Sequence, residues 1–322
     1  MSKVTITKNY KFVISFLFFS LTFINCAPVS SSDIDNGNKI YKEAYEIYGK
    51  PQVVGKITSD EITESSGIAA SKCQENVLWT HNDSGDDAFI FAINTKGEKL
   101  GTWKVPNAQN KDWEDIAAFK DTKTGKCFLY IGDIGNNARN RNELTIYRIP
   151  EPQVSGKNTN STKKNPQITD AAQAIKFDYP DSRHDAETLM VHPNTGDIYV
   201  ITKRLSGAAG VYKLKSDYDL NKTNTLEKIS DFSVPAVPNG FLTGGDISPD
   251  GKRVIICDYF AAYEIDLQKN AKSFDEIWHQ KPTIVLLGER EQGEAVGYSA
   301  DGNSIYATSE NKNSPVIEVK RR

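Results

Sequence analysis

Five short stretches of this 322-residue chain are near-copies of one another, and a repeat constrains architecture more tightly than any single motif. They read Glu64-Ser65-Ser66-Gly67-Ile68-Ala69, Trp113-Glu114-Asp115-Ile116-Ala117, Asp185-Ala186-Glu187-Thr188-Leu189, Gly244-Gly245-Asp246-Ile247-Ser248 and Gly293-Glu294-Ala295-Val296-Gly297. Each sets an acidic residue ahead of an aliphatic residue and a small apolar pair. A turn and a second β-rich run follow within about a dozen residues.

Anchored on Ser66, Glu114, Glu187, Gly245 and Glu294, the repeats are spaced by 48, 73, 58 and 49 residues. The long interval contains a polar stretch of 22 residues, Glu151 to Ala172, and without it measures 51. A period of roughly 40–50 residues carrying four short strands is the mark of a β-propeller blade. The expectation is an all-β chain of five four-stranded blades, with six blades as the alternative count.

Turn chemistry divides each unit. In the first, Gly67 to Ala70, Val77 to Thr80, Phe89 to Ile93 and Lys99 to Val105 read as strands A to D, with Asn94-Thr95-Lys96-Gly97 as a hairpin turn. The last unit is short, because only 28 residues separate Glu294 from the C-terminus. The spare run Gln52 to Ile57 supplies a missing strand, and closure across the termini removes exposed sheet edges.

Ahead of the repeats, Lys3, Lys8 and Lys11 precede an apolar run from Phe12 to Ile24. That run is short of the ~20 residues a membrane span needs and reads as a signal peptide over residues 1–25. Cys26 follows in Phe23-Ile24-Asn25-Cys26, which resembles the lipobox of bacterial lipoproteins, with Asn25 where a small residue is usual. Either Cys26 is acylated and anchors the chain to a membrane surface, or it is an ordinary residue near a cleavage site. Residues 26–50 read as a lipidated cysteine and polar tether, and 51–322 as the propeller. Within the tether, Ile40, Ala44, Ile47 and Tyr48 suit one side of a short helix, or a strand.

Removing residues 1–25 takes away three lysines and no acids and shifts the formal net charge from −3 to −6. That balance argues against a nucleic-acid partner. Cys73 and Cys127 occupy equivalent first hairpins of neighbouring blades, so a disulfide is conceivable in an oxidising compartment.

In a propeller the start of strand A and the B-to-C loop fall on one face. The strand-A starts contribute Glu64, Glu114, Asp115, Glu187, Asp246 and Glu294, and the loops contribute His81, Asp83, Asp133, Lys203, Arg204, Asp258 and Glu310. Two carboxylates ~4 Å apart repel by about 4 kcal/mol at an effective dielectric of 20, so such a face needs cations or raised pKa values. Glu64, Glu114, Glu187, Asp246 and Glu294 are the candidate ligands of a divalent metal, Ca²⁺ or Mg²⁺ with Ca²⁺ preferred, because the donors are oxygens. His81, Asp83, Asp133, Lys203, Arg204, Asp258 and Glu310 are the candidate ligand-binding residues. The competing role for each acid is structural: accepting backbone N–H bonds from the next blade and fixing register. His81 and His184 suit acid–base work or a structural role. Phosphate loops, zinc helices and nucleophile elbows are missing from the sequence, and no catalytic residue is assigned.

The runs ESSGIAAS, LWTHNDSGD, DWEDIA, YIGDIGNN, DAETLMVHPNTGDIYVITKR and GEAVGYSADG resemble a family of exported bacterial β-propeller proteins, from about Glu64 to the end. More distantly, the acidic start of the inner strand is similar to the gluconolactonase, regucalcin and β-propeller phytase propellers. That likeness implies a divalent metal in a channel-centred site and, usually, six blades. Three functions stay open. One is an envelope lipoprotein, expected to be a monomer, that binds metal and a polar small molecule or envelope component. The others are a metal-dependent hydrolase of phosphoesters or lactones, and an envelope protein–protein scaffold.

Overall fold

The computed structural model describes residues 46–322; the expected signal peptide, Cys26 and most of the expected tether lie outside them. The chain first lays down β1 (Gln52–Lys56). Blade one follows with β2 (Ser65–Ala70), β3 (Leu78–Asn82), β4 (Phe89–Ile93) and β5 (Lys99–Lys104). Blade two has β6 (Trp113–Lys120), β7 (Cys127–Asp133) and β8 (Leu144–Pro150), then β9 (Gln167–Ile168) inside the polar insertion, then β10 (Gln173–Asp178). Blade three is β11 (Ala186–Val191), β12 (Ile198–Thr202), β13 (Ala209–Leu214), the short β14 (Asn224–Thr225) and β15 (Glu227–Phe232). Blade four is β16 (Gly244–Ile247), β17 (Arg253–Cys257), β18 (Ala261–Asp266), a 3₁₀ turn over Phe274–His279 and β19 (Thr283–Leu286). Blade five is β20 (Ala295–Tyr298), β21 (Ser304–Thr308) and β22 (Pro315–Lys320).

The protein is a five-bladed β-propeller. Its fifth sheet runs β1-β22-β21-β20, with Gln52 opposite Glu318 and Lys56 opposite Pro315, so the N-terminal strand completes the last blade as its outermost member. Strands β2, β3, β11 and β12 are buried along their whole length. The cause is that both faces of a blade pack against neighbours, as Trp79, Trp113, Leu129 and Ile131 do between blades one and two. Outer strands such as β1 and β15 are half exposed.

Two outer additions were not foreseen. Strand β9 pairs in parallel with β5, so the insertion of blade two reaches back to blade one, and β14 pairs in parallel with β10 in the same sense. The insertion is tied down by polar contacts. Buried Glu151 accepts from Trp79 Nε1 at 2.9 Å and Gln74 Nε2 at 2.8 Å, and Lys163 pairs with Asp86 at 2.5 Å. Cys73 and Cys127 form a disulfide between blades one and two. The turns Ser248 to Gly251 and Ala300 to Asn303 close the first hairpins of blades four and five, with Gly251 and Gly302 at φ of 69° and 72°, where L side chains are strained.

Candidate metal centre

The starts of the inner strands hold the acids: Asp112 and Asp185 immediately precede β6 and β11, and Glu114 and Glu187 sit where the register shifts, between Trp113 and Asp115 and between Ala186 and Thr188. Their carboxylate oxygens converge in two overlapping groups, Asp83–Asp112–Glu114 and Glu114–Asp185–Glu187, each with oxygens within 4.8 Å of one another. Glu114 is common to both.

Glu294, Glu64 and Glu310 ring this centre. Glu310 and Glu64 face each other in an antiparallel bridge, and Ser66 Oγ donates to Glu294 Oε2 at 3.4 Å. Lys203 is the cation in contact, its Nζ 2.5 Å from Glu187 Oε1 and 3.5 Å from the Tyr259 hydroxyl. Phe241 and Tyr259 flank that ammonium, with ring centroids 4.7 and 5.4 Å away.

Charge is crowded here, and the acids respond. Burial, reinforced by Glu294 and opposed by a bond from Ser84 N–H, pushes Asp83 up to about 7. Burial and Glu294 raise Glu187 to about 8 against the pull of Lys203. Half-buried Glu310 rises to about 9 through loss of water and the neighbouring Glu294 charge. Glu114 is held well above the usual carboxylate range by burial, then by Glu187 and Asp83.

The donor set fits a hard divalent cation, since every converging atom is a carboxylate oxygen. The backbone fits it too. A Cβ on Gly135 would overlap Glu114 Oε1 and lie 2.5 Å from the Asp112 carboxyl, so only glycine lets this loop pass so close to the acids.

Of the residues expected at a metal, Glu114 and Glu187 stand in the centre, and Glu64 and Glu294 stand around it. Asp246 is not brought in. Its Oδ1 accepts from Ile247 N–H at 2.8 Å and its Oδ2 from Tyr298 N–H at 3.0 Å, which fastens blade four to blade five. The repeat alignment contains the reason: Gly245, not Asp246, matches Glu114, so Asp246 takes the opposite strand face together with Asp115.

Among the expected ligand-binding residues, Asp83, Lys203 and Glu310 face the funnel. Asp133 pairs with Arg141 at 3.0 Å and accepts from Asp112 N–H at 3.0 Å, so it supports the centre from behind. Asp258 caps its own turn, accepting from Phe260 and Ala261 N–H at 2.8 Å and from the Tyr263 hydroxyl at 2.7 Å. The Arg204 backbone bridges to Gly240. His81 is fully buried against Trp113, and burial lowers it to about 4, which makes it a neutral structural ring. His184 sits among Asp181, Tyr212 and Tyr179. Asp112 and Asp185 were missed, although each stands two residues before a predicted glutamate.

No family model matches this chain, and no curated protein matches it. Among solved structures it is similar to a gluconolactonase from Xanthomonas campestris, with a TM-score of 0.45 and 12% identity over 84% of this chain and 89% of that one.

Proposed function

We propose that this is an exported propeller protein, anchored to the cell envelope through Cys26, whose acidic funnel holds a divalent cation and through it a polar ligand. The observation that carries the reading is the convergence of Asp83, Asp112, Glu114, Asp185 and Glu187 beside one contacting ammonium, Lys203. With one ammonium among five carboxyl groups, the acids hold protons above their ordinary range, and a bound divalent ion takes the place of those protons. Ca²⁺ suits a site with this many oxygens, and Mg²⁺ is the competitor. The ligand is a polar small molecule or an envelope component. Export and anchoring rest on the lysines before Phe12 to Ile24 and on Cys26 after them.

Elemental analysis of the purified mature protein, with melting curves in Ca²⁺ and in chelator, tests the metal. Ca²⁺ at 100 times its dissociation constant is expected to stabilise the fold by about 2.7 kcal/mol. Identical curves in Ca²⁺, Mg²⁺ and chelator would refute the site. Cys26→Ala tests the anchor: it is expected to release the protein from the membrane fraction or leave uncleaved precursor, and unchanged mass and association would refute lipidation.

A second reading, metal-dependent hydrolysis of a phosphoester or lactone, is favoured by Lys203 and Tyr259. They place an ammonium and a hydroxyl beside the carboxylates, where negative charge develops on a substrate oxygen. A bound cation would supply Lewis acidity. Turnover of phosphoester or lactone panels that is lost in Lys203→Met distinguishes this from binding alone.

A further inference from the structure

A cavity opens among the first hairpins of the blades, at the opposite ends of the inner strands from the carboxylates. Its lining residues Lys72, Phe119, Pro193, Asn194, Pro249 and Ala300 come from the first hairpins of the five blades, and they enclose about 380 Å³. The walls are largely apolar, built from the Phe119 ring, two prolines and the Ala300 methyl. Lys72, Lys120, Asp121, Thr122 and Asn194 are its polar members.

The Lys72 Nζ is buried and has no hydrogen-bond partner among the described residues. An ammonium that gives up water without gaining a partner is costly, and the cost falls when an anion arrives. Asp246 feels the Lys72 charge. Both its oxygens, however, are already engaged by backbone N–H groups, and no ion pair joins the two residues. The mouth also carries Lys120 and Asp121, and the Asp121 carboxylate is held in its own turn by Lys123 N–H at 2.8 Å and Thr124 N–H at 3.3 Å. Asp121 stays ionised there, and Lys72 with Lys120 against that single carboxylate leaves the cavity lining a net positive charge.

We propose that this far-face cavity binds a small organic anion, its carboxylate on Lys72 and a ring-sized apolar body against Phe119, Pro193 and Pro249. Lys72 lines the cavity, and its ammonium, a point charge with three donors on a flexible four-carbon stem, is the group that would meet the carboxylate. Asn194 offers an amide donor at the rim. None of the funnel carboxylates takes part, so this site and the metal centre stand or fall separately.

Calorimetric titration of the full chain with phenylacetate, phenylacetamide and acetate tests it. Phenylacetate is expected to bind, with phenylacetamide roughly tenfold to a hundredfold weaker because it lacks the charge-assisted bond. Acetate is expected to be weaker as well, because it lacks the apolar body. Lys72→Met is expected to bring phenylacetate down to the level of the amide, while Lys72→Arg retains most of the affinity and the Ca²⁺ response is unchanged in both. Equal binding of acid and amide, equal binding of acetate and phenylacetate, or no binding at all would overturn the proposal. So would unaltered phenylacetate binding in a folded Lys72→Met variant. Should that variant fail to fold, the acid-to-amide comparison on the native protein decides.

Discussion

Glu114 and Asp115 are consecutive on β6, and their carboxyl groups lie on opposite faces of the strand with opposite kinds of partner. Glu114 meets the carboxylates of Asp83, Asp112, Asp185 and Glu187. Asp115 meets only backbone: its Oδ1 accepts from Ile116 N–H at 2.8 Å, and its Oδ2 from Leu189 N–H at 2.9 Å and Gly245 N–H at 3.4 Å. One acid is repelled by its surroundings, and the other joins blades two, three and four.

The two are expected to respond oppositely to neutralisation. Glu114→Gln removes repulsion, so the metal-free protein should melt at an equal or higher temperature while the Ca²⁺-induced rise is lost. Asp115→Asn leaves buried N–H donors poorly matched and should destabilise by about 1–3 kcal/mol, with the Ca²⁺ response retained. Melting curves of both variants with and without Ca²⁺ check this, and similar behaviour of the pair would contradict the division of roles.

The raised carboxyl groups set a pH dependence. Asp83, Glu187 and Glu310, at about 7, 8 and 9 in the folded protein, still hold protons that the unfolded chain releases near its ordinary carboxylate pKa. Their contribution is fully present below that ordinary value and is lost as the pH rises through 7 to 9. A bound cation replaces the protons, so the Ca²⁺-induced stabilisation should grow between about pH 6 and 9. Calorimetry across that window checks it; a pH-independent increment would count against the funnel as the metal site.

Ring closure depends on a second buried acid. Glu264 accepts from the Tyr48 hydroxyl at 2.5 Å, the Tyr298 hydroxyl at 2.8 Å, Arg253 Nη1 at 3.2 Å and Arg321 Nη1 at 2.7 Å, and so joins both ends of the described chain to blade four. Tyr48→Phe should cost about 1–3 kcal/mol in denaturant melts, because a hydrogen bond to a charged group is lost. Truncation through residue 58 removes β1 as well and exposes the edge of β22, so cooperative unfolding should disappear. Cooperative unfolding in that truncation would show that β1 is dispensable.

The disulfide gives a further expectation. Cys73 and Cys127 enclose a separation of 54 residues, for which chain entropy predicts a stabilisation of about 4 kcal/mol. Cys73→Ser with Cys127→Ser should lower stability by a value of that order, measured by urea unfolding. A change near zero would mean that blade packing alone holds this pair of hairpins.

Architecture was legible because it is periodic. The 48-to-58-residue spacing, the turn residues and the short fifth repeat with its spare Gln52 to Ile57 strand depend only on local patterns, and the strand pairing of β1 with β22 agrees with them. The acidic funnel was legible in outline for the same reason, since Glu114, Glu187 and Glu294 recur at one position of the repeat. Which acids meet is a different matter. Asp246 and Glu114 look alike in a string of letters, but one residue of register turns a side chain to the other strand face, and only the packed ring shows that backbone N–H groups wait there. Asp112 and Asp185 joined the centre, and the polar insertion folded back onto blade one, through contacts between residues distant in sequence. Local periodicity determines blades; the tertiary structure decides which carboxylates face one another, because that depends on how five twisted sheets close around a common axis.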